Sequence, residues 1–118
     1  MSEIISSYND SLRQHMFDDV IFKATTLHRK DKIVLSKEVS ELDNKDKMKV
    51  LRLVKEFDTF NKEDNPYNEN DFGAFNYEDT KFFWKIDYYD NDLKYHSEDK
   101  TNTEKTIRVL TVMKASEY

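Results

Sequence analysis

Asp71-Phe72-Gly73-Ala74-Phe75-Asn76-Tyr77 and, four residues further on, Phe82-Phe83-Trp84-Lys85-Ile86-Asp87-Tyr88-Tyr89-Asp90 together decide the fold class. In the second segment Phe82, Trp84, Ile86 and Tyr88 fall on one face, and Phe83, Lys85, Asp87 and Tyr89 on the other. A period of two in aromatic and β-branched residues marks a strand buried on one side. Asp71 to Tyr77 is the expected antiparallel partner, joined to it through a turn over Asn76 to Thr80. Gly73, the only glycine, sits inside that partner, where glycine marks a bulge or a close approach of backbone.

Toward the N-terminus, Ile4, Ile5, Tyr8, Leu12 and Met16 recur at helical spacing and predict a helix over 3–16, with Ser2 as its cap. Val20-Ile21-Phe22 and Ile33-Val34-Leu35 suit two strands of a hairpin across the polar stretch Lys23 to Lys32, and Ser36 suits the start of a short helical turn reaching Leu42. A helix over 45–56 carries Met48, Leu51 and Val54 on one stripe and Lys45, Lys49 and Arg52 on another. A strand is expected to begin at Phe57 to Phe60, before a polar loop, Asn61 to Asn70, that holds the only proline, Pro66. Beyond the aromatic strand, Thr101 to Glu104 has the form of a capping box, and Ile107, Leu110 and Met113 follow at helical spacing. A helix is the preferred reading there, with the β-branched content leaving a strand as the alternative. The expected architecture is α+β in one domain, 1–118: a small antiparallel sheet with an aromatic central hairpin, packed against about three helices.

Composition sets the outer limits. Leu, Ile, Val and Phe number 29 of 118 residues, above the level at which chains stay disordered. No apolar run is long enough for a membrane span, and the first residues lack the basic and apolar regions of a signal peptide, so a cytoplasmic protein is expected. Without cysteine there is no disulfide, thiolate nucleophile or thiolate metal site. The net charge of −5 is unevenly spread: residues 61–99 hold 11 acidic side chains against 4 basic ones.

Four blocks of the sequence resemble a family of small bacterial and phage proteins of unknown function. They are Asp64-Asn65-Pro66-Tyr67, Glu69-Asn70-Asp71-Phe72-Gly73-Ala74-Phe75, Phe83 through Asp90, and Arg108 through Met113 with Glu117-Tyr118. Relatives carry histidine where this chain has Asn70, and Gly-Ser-x-Asp-Pro where it reads His96-Ser97-Glu98-Asp99-Lys100. The resemblance implies a protein carried on phages, plasmids or other mobile elements, and brings no catalytic residues with it.

Close carboxylates can divide into an acid and a base, so Glu69, Asp71, Asp87 and Asp90 are candidates for an acid/base hydrolase-like site, with His96 standing in for the histidine replaced by Asn70. Carboxylates at strand ends more often face solvent or pair with lysine. Asp90-x-Asp92 opens like a calcium loop, but Tyr95 stands where glycine is needed and Thr101 where the closing Glu belongs. His15, His28 and His96 share no ligand spacing, and one glycine cannot build a phosphate cradle, so neither metal nor cofactor is expected. Lys45, Lys49 and Arg52 offer phosphate contacts to a nucleic acid, against the acidity of the chain as a whole. The strongest signal is a binding surface formed by Glu69, Asp71, Tyr77, Phe83, Lys85, Asp87, Tyr89 and Asp90, since aromatics among charges suit a protein-binding hot spot. The expected function is an acidic module that occupies a basic surface on a host protein or protein–nucleic acid complex, like an anti-CRISPR inhibitor of a defence system. A small hydrolase-like enzyme and a homo-oligomeric structural protein are the alternatives.

Overall fold

The computed structural model of the chain describes residues 2–17 and 30–118. Helix α1 (Ser2–Gln14) is followed by strand β1 (Lys32–Leu35), the one-turn helix α2 (Lys37–Ser40) and helix α3 (Asn44–Lys55). Strands β2 (Phe72–Tyr77), β3 (Thr80–Tyr89) and β4 (Ile107–Lys114) complete the order, ending in a 3₁₀ turn over Ala115–Glu117. The fold is α+β. Its sheet is mixed, in the order β1-β4-β3-β2, because β1 runs parallel to β4 while the other two pairings are antiparallel. No described helix is long and apolar enough to cross a membrane.

The β2–β3 hairpin turns on Glu78 and Asp79, both at positive φ (48° and 65°), with Tyr77 paired to Thr80. Positive φ at both central residues is the primed turn whose twist matches the flanking strands, here adopted without glycine. On β3 the alternation is as expected: Phe82, Trp84, Ile86 and Tyr88 are buried and their neighbours only partly so. The three described helices cover that one face. Ile5 and Leu12 from α1, Val39 from α2, and Val50 and Val54 from α3 pack against β3 and against Leu110 and Val112 of β4. Each such side chain contributes about 1.5–3 kcal/mol when fully buried.

Trp84 is fully buried and organises this core. Phe57 and Phe60 meet it edge-on, with centroids at 5.5 and 6.1 Å, and the Arg13 guanidinium lies 4.6 Å from its ring centre. Gly73 pairs with Trp84 in unbroken register, so it marks a close approach and no bulge. A Cβ there would collide with Nε1 and Cε2 of the indole and with the Phe57 ring.

Four expectations need correction. Residues 107–114 form β4, a strand, because β4 has a neighbour on each side and buries residues of both faces: Leu110 and Val112 under the helices, Ile107 and Met113 on the other side. Helical spacing and a doubly buried strand are easily confused over so few residues. Phe57 to Phe60 form no strand, since their rings are drawn onto Trp84. On α3 the buried stripe is Val50 and Val54, while Met48 is 46% exposed. Thr101 to Glu104 starts no helix, and the Thr101 hydroxyl donates instead to Asp99. The strand expected at Val20 to Phe22, and with it the expected hairpin, lies outside the described residues; among those described, β1 pairs with β4. Ser36 caps α2 as expected, its hydroxyl accepting the Val39 N–H, and Asp43 caps α3 by accepting that of Asp46.

Candidate functional site

Two regions gather charged and aromatic side chains. The first is a polar seam beneath α1. Asn9, fully buried, lies one helical turn from both Ile5 and Leu12 and therefore faces the sheet. Its amide donates to the Glu69 carbonyl (2.9 Å) and the Tyr88 hydroxyl (2.8 Å), while its oxygen accepts from Arg108 Nε (2.9 Å). Tyr88 in turn donates to Asp71 at 3.0 Å. Arg108 Nη2 donates to the Lys100 carbonyl, and the Lys100 ammonium sits 3.3 Å from Glu69 and 4.6 Å from the Tyr88 ring centre. Asn70, at φ 56°, donates to Asp10 and binds Asn65. Arg13 donates to Asp10 and to the carbonyls of Val54 and Phe57, closing the C-terminal end of α3.

Burial sets the electrostatics of the seam. Loss of solvation raises the Asp71 pKa above its ordinary 3.8, opposed by the Tyr88 hydrogen bond. Burial also raises the Tyr88 phenol and lowers both Arg13 and Arg108 from 12.5. Among the described residues only Arg13 Nε and Trp84 Nε1 are buried polar side-chain atoms without a hydrogen-bond partner. Apart from that one Arg13 atom the seam is internally satisfied, which is the condition for a buried polar network to hold a fold together.

The second region begins where β3 ends. One Asp90 oxygen accepts the N–H groups of Asp92 and Lys94, each at 3.1 Å, and Leu93 takes the left-handed conformation (φ 58°). The Asp90 N–H donates to the Tyr95 carbonyl, His96 bridges back to Tyr89 with its ring parallel to the phenol, and the Ser97 N–H donates to the Tyr88 carbonyl. The loop is thus pinned at its base. Its tip presents Leu93 (45% exposed) and Tyr95 (74% exposed). A concavity of about 440 Å³ lies beside them, lined by Asp90, Asp92, Tyr95, His96, Glu98 and Lys105 among others. Residues 90–99 hold four acidic side chains and one lysine.

The structure separates the residues singled out in the sequence. Phe83, Lys85, Asp87 and Tyr89 share the sheet face opposite the helices, where Lys85 and Asp87 form an ion pair at 2.7 Å that raises the lysine pKa. Glu69 and Asp71 belong to the seam on the other side, with Lys100 and Tyr88. Asp87 is not brought to them, and His96 stacks on Tyr89 instead. Tyr77 faces α3 and donates to Asp46 at 2.7 Å, a bond that pushes its pKa up to about 12. Asp90 serves the turn. Lys45, Lys49 and Arg52 are exposed on α3, and Lys49 and Arg52 flank a groove of about 250 Å³ with Leu53, Glu56 and Tyr77. Among the described residues no three His, Asp or Glu side chains are grouped to hold a metal ion.

Sequence reasoning missed Asn9, Arg13 and Arg108, although each carried a signal: a polar residue at a core position of an apolar stripe or strand. It also stopped at Asp90, one step before Leu93 and Tyr95, where apolar residues interrupt an acidic run.

The architecture defines a small α+β protein with one helix-covered sheet face and an acidic loop projecting from the sheet's end. The chain belongs to the family described as Protein of unknown function (DUF3768), whose family model matches residues 35–117. No curated protein and no solved structure matches the chain.

Proposed function

We propose that this is a protein-binding module of a phage or other mobile element. It acts in the host cytoplasm as an inhibitor of anti-CRISPR type, by covering a basic surface of a defence complex. The observation that carries this reading is the tip of the 90–98 loop, where Tyr95 is 74% exposed on a backbone fixed by Asp90 and set among Asp92 and Glu98. Acidic charge attracts a basic surface over about a Debye length and speeds encounter, and a preordered tyrosine slows release at little entropic cost. The occupant of this surface is accordingly a lysine- and arginine-rich face of another protein, of the kind that otherwise holds nucleic acid.

The test is capture of host proteins on the immobilised chain, with heparin as a polyanionic competitor. A partner retained by the wild type, released by heparin and lost with Tyr95→Ala or Asp92→Lys/Glu98→Lys supports the reading. Retention of the same proteins by all variants, or indifference to heparin, overturns it.

A further inference from the structure

A second surface complements that loop. Helix α3 carries Lys45, Lys47, Lys49, Arg52 and Lys55 against Asp46, a net of +4, opposite in sign to the net of −3 on the 90–99 segment. The groove of about 250 Å³ is lined by Lys49, Arg52, Glu56, Tyr77 and Leu53, the last itself 40% exposed. An apolar lining edged by two cations, with one carboxylate beside them, fits an acidic segment with an apolar tip, and residues 90–99, acidic apart from Lys94 and carrying Leu93 and Tyr95, are such a segment. The two cannot meet within one molecule. Tyr77 pairs with Thr80 at the start of β3, whereas the loop leaves β3 at Tyr89. Ten residues at about 3.3 Å each put roughly 30 Å between these ends, out of a longest dimension of 38 Å.

We propose that the α3 groove receives the Leu93–Tyr95 tip of a second copy of this chain, head to tail. This rests on the reading of the loop as a recognition element and names a partner for it. The two patches are different, so the contact is heterologous, and each added copy leaves one tip and one groove free. Both patches are small, which makes the association weak, and their opposite charges make it salt-sensitive. Self-association and a foreign basic partner then compete for one loop.

Sedimentation velocity of the whole chain from about 5 to about 500 µM, the range of weak small interfaces, tests this. The wild type should gain mean mass with concentration and return to monomer at about 0.5 M salt. Asp92→Lys/Tyr95→Ala, lacking the tip, and Lys49→Glu/Arg52→Glu, lacking the groove, should each associate at least tenfold more weakly alone. Mixed together they should form a one-to-one complex and stop there, because each supplies the patch the other lacks. Far-ultraviolet circular dichroism and melting curves matching the wild type certify the fold of each variant. A wild type that stays monomeric throughout overturns the inference, as does association that survives in either variant. Poly-L-lysine separates the two proposals: a monomeric wild type that still binds it through Tyr95 ends head-to-tail association and leaves the foreign-partner reading intact.

Discussion

The seam beneath α1 and the loop beyond Tyr89 are built from the same materials, carboxylates, cations, amides and tyrosines, yet they differ in what those groups have left to offer. In the seam, Tyr88 is buried and its hydroxyl is bonded to both Asn9 and Asp71. In the loop, the backbone is fixed by Asp90 but the Tyr95 ring stands in solvent. A polar cluster whose members satisfy one another stabilises a fold, whereas one that satisfies only its own backbone leaves its tip open to solvent.

The comparison breaks first at Asn9. Asn9→Leu leaves the buried Arg108 Nε and the Tyr88 hydroxyl without their amide, which should cost about 3–5 kcal/mol in urea unfolding. A loss under about 1 kcal/mol would show that the seam is not what holds α1 on the sheet. Next comes Gly73→Ala, which forces a methyl into the Trp84 indole and should cost about 1–3 kcal/mol, with a shift in tryptophan fluorescence.

Asp71→Asn tests the seam's electrostatics with a smaller effect. Because burial raises the folded pKa of Asp71, the folded state binds more protons than the unfolded state between 3.8 and that raised value. This carboxyl's contribution to stability therefore falls as pH rises through that window. The amide introduced by the substitution still accepts from Tyr88 but does not titrate. The variant should gain on the wild type above the window and lose that gain below it, as read by urea midpoints across pH. A gain independent of pH would place the effect elsewhere. Smallest in stability is Tyr95→Ala, expected within about 0.5 kcal/mol of the wild type because the ring is exposed. A large loss would make the tip part of the fold and remove it as a binding element.

Much of the fold was legible because local pattern and tertiary burial agreed. The alternation through Phe82 to Tyr88 and the stripe of Ile5 and Leu12 announced a strand and a helix that the structure contains. Reading failed where burial depended on neighbours distant in sequence. Ile107, Leu110 and Met113 look helical until β1 and β3 are known to flank them, after which both faces of β4 need apolar residues. Phe57 and Phe60 resemble a strand until both rings are seen packed edge-on against Trp84. The candidate surface was harder. Alternation correctly set Phe83, Lys85, Asp87 and Tyr89 on one face, but only three dimensions show that Glu69 and Asp71 lie across the sheet from them and that Tyr77 turns to α3. For Tyr95 the local pattern offered only an apolar interruption of an acidic run, which does not itself report exposure.

The place of β4 between β1 and β3 also sets an order of assembly. The β2–β3 hairpin, closed by its two-residue turn, needs only local contacts and can form early. Among the described residues strand β1 has no such route: the neighbour it pairs with is β4, with Lys32 opposite Val109 across most of the chain. Closing so long a loop is slow, so β1 joins last, once β4 has docked on the hairpin. A chain cut before Ile107 would keep its hairpin and lose the strand that makes one sheet of the two pieces.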